Sequence, residues 1–175
     1  MRRFFTVAAV VAATLFTGGA AVAHPVGDHA ARPQAGTCRS VDLGVAFGRV
    51  EGAAGTVYRE VLLTNRGIAP CALRGHPGVS YVDPGGEQVG AAAVRSGDRG
   101  SLLTLPHGAT AVSDVGFARV DNFDPDLCRK TPVWGIKVFP PDETTPLYLP
   151  MSDQHGCAGD VSPFGDQLTV TGLRG

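Results

Sequence analysis

Residues 41–67 decide the fold class of this chain, and they read VDLGVAFGRVEGAAGTVYREVLLTNRG. From Val41 to Phe47, apolar residues alternate with Asp, Gly and Ala, and this period of two is typical of a half-buried strand. Residues 52–55 predict a turn, and residues 56–64 are rich in the β-branched, aromatic and aliphatic residues that favour a second strand. Residues 65–67 then end that strand with residues that tolerate a positive φ.

The chain continues beyond residue 67 as short strands separated by turns that contain Gly or Pro. The further predicted strands are residues 79–83, 102–105, 110–120, 134–138, 147–149 and 168–171. Within one of them, Trp134, Ile136 and Val138 are expected to share one face of the sheet. No stretch keeps a helical period over three turns. Seven to nine strands with regular turns predict an all-β fold, an immunoglobulin-like antiparallel β-sandwich.

The first 23 residues have the three parts of a secretory signal peptide. Arg2 and Arg3 supply the positive start, residues 4–16 form an apolar run, and residues 21–23 (AVA) offer the small side chains that signal peptidase requires. A helix over that apolar run would span about 20 Å, short of the roughly 30 Å hydrocarbon core of a membrane. A cleaved signal is therefore the better interpretation than a membrane anchor.

Cleavage after Ala23 divides the chain into a signal peptide (1–23), a flexible leader (24–36) and a β-sandwich domain (37–175). The residue after the cut is His24 and not Cys, so that position offers no lipid-acylation site. We expect no stable membrane anchor. The sequence therefore predicts a secreted, extracellular protein.

The charge pattern bears on the class of partner. Of the 15 Lys and Arg residues, 13 remain once Arg2 and Arg3 are removed, against 16 Asp and Glu residues. The basic residues are scattered along the sequence apart from Arg129 and Lys130, whereas nucleic-acid-binding proteins concentrate them in a patch or stripe. The pattern predicts no nucleic-acid partner.

All four cysteines (Cys38, Cys71, Cys128 and Cys157) lie after the predicted cleavage site. An even number of cysteines in an oxidising compartment predicts two disulfides, although spacing alone leaves three connectivities open. We favour the pairs Cys38–Cys71 and Cys128–Cys157, which would close each half of the sandwich separately. A zinc site is the alternative, but the gaps between the cysteines are long and no Cys-x-x-Cys is present.

The sequence lacks the common motifs of catalysis. It contains no Gly-x-Ser-x-Gly, no His-Glu-x-x-His, no phosphate-binding loop and no Gly-x-Gly-x-x-Gly. Isolated Ser, His and Asp residues occur in any chain of this size and do not indicate a catalytic triad by themselves. We therefore expect no catalytic residues and no cofactor.

One alternative depends on His24. As the first residue after cleavage, it would offer an α-amine and an imidazole, two nitrogen ligands that suit Cu(II). Secreted β-sandwich copper proteins and oxidative polysaccharide-cleaving enzymes use an N-terminal histidine in this way. Further imidazoles are present at His29, His76, His107 and His155. Pro25 follows at once and the leader has no pattern that would dock it, so our main expectation is no metal site.

Several segments after Cys38 resemble a known family. They are residues 52–56 (GAAGT), 63–67 (LTNRG), 71–79 (CALRGHPGV), 105–111 (LPHGATA) and 138–141 (VFPP), the last flanked by Cys128 and Cys157. From Cys38 to Leu173 the chain is similar to the actinobacterial exported family called domain of unknown function 4232. The resemblance implies export and an immunoglobulin-like sandwich, and it implies no activity or active-site residues.

Two loops are candidates for a binding surface. The first follows Cys71, and its Gly and Pro residues set a fixed path for the backbone. Its residues are Gly75, His76, Pro77, Gly78 and Val79. The second loop places three carboxylates and an aromatic ring within six positions. Its residues are Asp121, Phe123, Asp124 and Asp126.

The acidic loop has two interpretations. Carboxylate oxygens suit calcium, but the segment lacks the alternating ligands, the central Gly and the terminal Glu of an EF-hand. We therefore interpret it as a solvated turn whose Phe123 offers an apolar contact. The function that we expect is a non-catalytic interaction module that recognises another extracellular protein or a cell-wall component.

Overall fold

The computed structural model describes residues 35–175. The predicted signal peptide, its cleavage site and the leader as far as residue 34 lie outside the described residues, and so do His24 and His29. The described part consists mainly of strands arranged as a sandwich, which confirms the predicted fold class. No helix within it has the length and apolar character needed to cross a membrane.

Eleven strands form the frame of the domain. In chain order they are β1 (Leu43–Ala53), β2 (Thr56–Asn65), β3 (Cys71–Leu73), β4 (Gly78–Val82), β5 (Gln88–Val89), β6 (Val94–Ser96), β7 (Leu103–Leu105), β8 (Thr110–Ala118), β9 (Lys130–Phe139), β10 (Leu147–Cys157) and β11 (Leu168–Thr171). One short helix, α1 (Pro125–Cys128), and three 3-10 turns (Ser40–Asp42, Val120–Asn122 and Ser162–Phe164) lie between them. Four strands have only two or three residues, which brings the number above the predicted seven to nine.

The strands form two main sheets and one short pair. The larger sheet has the order β1-β2-β8-β11-β6, the second has the order β10-β9-β4-β5, and β3 pairs with β7. Every pair of described strands is antiparallel except β6 with β11, where Val94 lies beside Thr169. The sandwich is therefore antiparallel, as predicted, with one short parallel pair at an edge of the larger sheet.

A hydrophobic core formed by residues of both main sheets holds the sandwich together. Strands contribute alternate residues to it, such as Val61 and Leu63 from β2 and Ile136 and Val138 from β9, all fully buried. Burial of a side chain of this size contributes about 1.5–3 kcal/mol relative to exposure. The sandwich is therefore stabilised mainly by the alternate β-branched and aliphatic residues of its strands.

Two positions depart from the predicted alternation. Val41 lies in the 3-10 turn before β1 and is 74% exposed, so the alternating strand begins later than predicted. Trp134 is 42% exposed, whereas Val133 and Ile136 are buried. The prediction that Trp134 shares the face of Ile136 is therefore wrong. Strand β10 shifts its register opposite Trp134, and an irregularity of this kind changes the direction in which side chains point.

We name the two ends of the sandwich after the terminal residues of β9, the Lys130 end and the Phe139 end. Strand β9 runs from Lys130 to Phe139, a distance of about 30 Å at the usual rise per residue. The loop before β4 lies at the Phe139 end, because Gly78 pairs with Phe139. Residues 120–128 lie at the Lys130 end, because Asp121 contacts Lys130 at 3.0 Å.

Each end of the sandwich carries one disulfide. Cys38–Cys71 lies at the Phe139 end, where residue 40 is hydrogen-bonded to the loop that follows β9. Cys128–Cys157 lies at the Lys130 end, where Cys157 pairs with the first residue of β9. In both disulfides the bonded cysteines are neighbours in the order of the sequence.

The buried Tyr81 of β4 makes the stability of the fold pH-dependent in alkaline solution. Burial raises the pKa of its hydroxyl from 10.0 to about 12, although the charge of Arg59 opposes the shift. The folded state holds this proton more tightly, so the stabilisation is complete below pH 10 and is lost as the pH rises through about 12. We expect a loss of roughly 2–3 kcal/mol in the free energy of unfolding over that interval, measured by urea unfolding. A Tyr81→Phe variant should lack this loss, and an equal loss in it would contradict the assignment.

Candidate functional site

A cleft of about 610 Å³ lies at the Phe139 end of the sandwich. Three segments supply its walls: residues 74–78 at the start of β4, residues 95–99 after β6, and residues 139–143 after β9. Arg74, Arg95 and Arg99 line it. We therefore call it the arginine cleft.

Backbone contacts fix the first wall of the arginine cleft. Gly75 has a φ of +118°, which side chains rarely allow, and its carbonyl accepts a hydrogen bond of 2.8 Å from the N–H of Leu173. The Nε2 atom of His76 lies 3.0 Å from the carbonyl oxygen of Ser96, which joins the first wall to the second. The fold itself therefore holds these walls in place.

The three arginines give the cleft its cationic groups. The Nε of Arg74 donates to the carbonyl of Gly100 at 3.3 Å. Arg99 lies against Gly75, where an added Cβ would come within 3.3 Å of its Nε. Neither these two nor Arg95 forms an ion pair with any residue from 35 to 175. Their exposed guanidinium groups can therefore donate paired hydrogen bonds to a carboxylate or a phosphate.

Three acidic residues share the cleft with the arginines. Asp98 belongs to the second wall, and Asp142 and Glu143 belong to the third. The Oε2 of Glu143 accepts hydrogen bonds of 3.1 Å from both the N–H and the hydroxyl of Ser40, so the fold already uses this carboxylate. The cleft thus contains equal numbers of basic and acidic residues and has polar groups for ligand atoms of either sign.

The first predicted loop contributes only part of this cleft. Gly75, His76 and Gly78 line it, whereas Pro77 is buried and Val79 packs in the core with 1% exposure. Sequence reasoning missed the arginines of the cleft because they lie on two segments that are distant in the chain. Contacts between the segments bring them together: the N–H of Ala93 donates to the carbonyl of Val79 at 2.8 Å, and the Nε2 of His76 lies beside the carbonyl of Ser96.

The second predicted loop lies at the opposite, Lys130 end, so the two loops do not form one surface. Asp121 forms an ion pair of 3.0 Å with Lys130. Phe123 packs against the small cluster around Cys128, Cys157 and Val161. Phe123 therefore helps to hold this end of the sandwich together, whereas the exposed Asp121–Lys130 pair contributes little.

The remaining acidic residues of that loop belong to the short helix α1. Asp124 is its N-cap, and its Oδ1 accepts hydrogen bonds from the N–H groups of Asp126 at 2.9 Å and Leu127 at 3.2 Å. Capping by Asp is a common way to satisfy the first N–H groups of a helix. The side chain of Asp126 is exposed. Capping of α1 therefore explains the role of the Asp124 carboxylate without a bound ligand.

The described histidines each have separate surroundings. His76 contacts Ser96, and the Nδ1 of His107 lies 3.0 Å from the carbonyl oxygen of Gly67. Within residues 35–175, no group of three or more His, Cys, Asp or Glu side chains is arranged to hold a metal ion. The copper hypothesis depends on His24, which is outside the described residues, and it stays a prediction.

Comparison with known proteins gives one match. A family model described as "Domain of unknown function (DUF4232)" matches residues 38–174. No curated protein and no solved structure matches the chain. The matched region includes every residue of the arginine cleft.

Proposed function

This chain belongs to the family described as Domain of unknown function (DUF4232), and we propose that it is a non-catalytic binding module that holds a peptide-like ligand in the arginine cleft. The observation that supports this most directly is the set of three cleft arginines without an ion pair among residues 35–175. Arginine is well suited to recognising carboxylates because its planar group can donate two parallel hydrogen bonds.

The mixed charges of the cleft favour a ligand that carries groups of both signs. Asp98 and Asp142 stand among the arginines and would repel a uniform polyanion such as a nucleic acid. A ligand with carboxylates for the arginines and amino groups for the aspartates would match both sets. Peptides have this chemistry, whether they belong to the cell wall or to another exported protein.

An extracellular location is part of the proposal. The support is the pair of disulfides, since such bonds persist mainly in oxidising compartments, together with the signal-like sequence of residues 1–23. A ligand of the cell envelope would meet the protein in that location.

Co-sedimentation with the insoluble cell wall of the producing organism tests the proposed function. We expect the purified protein to sediment with the wall and to be released by soluble wall peptides. The variant Arg74→Gln, Arg95→Gln, Arg99→Gln should bind at least about tenfold more weakly, because it loses its charge-assisted hydrogen bonds. If the protein binds exported proteins in place of the wall, and the triple variant loses that binding, the peptide-like ligand belongs to an exported protein.

A matched variant controls for charge alone. Arg39→Gln, Arg66→Gln, Arg129→Gln removes the same three charges from exposed positions outside the arginine cleft and should bind normally. Equal weakening in both triple variants would contradict the assignment of the cleft, and so would equal competition by double-stranded DNA. Release of soluble wall fragments by the protein would contradict a non-catalytic role.

A further inference from the structure

A second cleft, of about 240 Å³, lies at the Lys130 end of the sandwich, and we call it the Arg59 cleft. Arg59, Tyr81 and Phe117 line it from β2, β4 and β8, and Gln154 and His155 line it from β10. These strands belong to both main sheets. The cleft is therefore an opening into the space between the sheets, about 30 Å along β9 from the arginine cleft.

Arg59 occupies a core-facing position. Arg59 lies on the same face of β2 as the buried residues Val61 and Leu63. Its neighbour on β8 is Val115, which is fully buried. Burial of a charged or polar group without partners is unfavourable. Packing alone would favour an apolar residue at this position, so the arginine calls for a separate explanation.

Arg59 is partly buried, and its Nε lacks the acceptor that a buried donor usually has. It lies over the ring of Phe47, 5.6 Å from the centroid, but its Nε is buried without a hydrogen-bond acceptor. No carboxylate in the described part of the chain forms an ion pair with it. Buried donors are nearly always paired. An oxyanion in the cleft would supply both the missing acceptor and the missing negative charge.

The other charged residues of the Arg59 cleft do not neutralise the positive charge of Arg59. Asp121 is already paired with Lys130 at 3.0 Å, and Arg119 and Asp153 also line the cleft. Asp153 has a φ of +53°, in the left-handed region that Asp adopts more readily than most residues, where β10 shifts its register. Three basic residues therefore stand against two acidic ones.

We propose that the Arg59 cleft binds the carboxylate group of a small ligand, with Arg59 as its main partner and the Tyr81 hydroxyl as a second donor. Its volume of about 240 Å³ is below the roughly 300–1,000 Å³ of pockets for drug-sized ligands. It therefore suits a single sugar acid or the terminal residue of a peptide. This site does not depend on the function proposed for the arginine cleft.

An NMR titration of the isotope-labelled protein tests this proposal with three probes: glucuronate, N-acetylalanine and inorganic phosphate. We expect saturable shifts of the amide signals of Arg59, Gln154 and His155 with a carboxylate probe, with a saturation curve separate from any response at Gly75 or Asp98 in the arginine cleft. A stronger response to glucuronate would assign a sugar acid, and a stronger response to N-acetylalanine would assign a peptide terminus. Without saturable shifts near Arg59, or with phosphate the tightest probe, the proposal is overturned.

Variants separate this site from a merely structural role of Arg59. Arg59→Gln should weaken binding of the responding carboxylate about tenfold or more, because the charge-assisted hydrogen bonds are lost. Arg119→Gln removes the same charge from the rim and should change the affinity much less. Arg59→Lys keeps the charge but not the paired donors, so it should also bind more weakly than the unmodified protein. It serves as the test variant if Arg59→Gln does not fold. Unchanged affinity in a folded Arg59 variant would overturn the proposal.

Discussion

Removal of the Cys38–Cys71 disulfide is expected to lower the free energy of unfolding by about 3–4 kcal/mol. The bond links residues 33 positions apart, and cross-linking a loop of that length restricts the unfolded chain strongly. The measurement is urea unfolding of the double variant Cys38→Ala, Cys71→Ala, followed by circular dichroism. Cys38 is fully buried, and the N–H of Cys38 donates to the carbonyl of Ala72 at 3.0 Å, so the segment before β1 should loosen first.

The same variant also tests the pairing of the cysteines. Because Cys128 and Cys157 bond to each other, the double variant should contain no thiol that reacts under denaturing conditions. A variant without Cys128 and Cys157, whose separation is 29, should be destabilised by a similar amount. Reactive thiols in either double variant, or a peptide map that links Cys71 to Cys128, would contradict this connectivity.

Replacement of Asn65 by Ala is expected to cost about 3 kcal/mol, because a fully buried side chain that makes three hydrogen bonds is lost. Its Nδ2 donates to the carbonyls of Ala69 at 2.9 Å and Leu105 at 2.8 Å, and its Oδ1 accepts from the N–H of Gly67 at 2.8 Å. These bonds tie the end of β2 to the loop that follows it and to the end of β7. Loss of the side chain removes a donor from the carbonyl of the buried Leu105, which is the costly case.

Two neighbouring variants control for this effect. Thr64→Ala removes a single hydrogen bond, to the hydroxyl of Thr110 at 2.8 Å, and should cost about 1 kcal/mol. Asn65→Asp keeps an acceptor for Gly67 but places a carboxylate near two carbonyl oxygens, so at neutral pH it should be at least as unstable as Asn65→Ala. If Asn65→Ala unfolds at the same urea concentration as the unmodified protein, the buried hydrogen bonds do not have the role assigned to them.

The sequence predicts the regular strands well because their periodicity is local. The strand predicted over residues 56–64 is β2 (Thr56–Asn65), and the family resemblance is confirmed over residues 38–174. Strand β10 was predicted only at residues 147–149 but extends to Cys157. Residues 150–157 (PMSDQHGC) contain Pro and Gly and do not alternate, so pairing with β9 makes them a strand despite their low propensity.

The clefts are harder to predict because neither is formed by one segment. Arg74, Arg95 and Arg99 come together through contacts between separate segments of the chain, and no local pattern encodes those contacts. Arg59 does leave a signal: it takes an inward position in the alternating run Val57-x-Arg59-x-Val61. A charged residue in a core-facing series indicates either a binding site or the open end of a sandwich. The inward position of Arg59 is therefore the sequence signal that could have pointed to the Arg59 cleft.

The placement of one disulfide at each end of the sandwich has a consequence for motion. The ends of a β-sandwich are normally where fraying begins, because loop residues there have few neighbours. Here covalent links oppose fraying beside both clefts. Amide hydrogens next to the clefts should therefore exchange with solvent almost as slowly as those of the core strands. If the two proposed sites bind ligands, a ligand would enter walls that the disulfides already hold in place, and little entropy would be lost in ordering the loops.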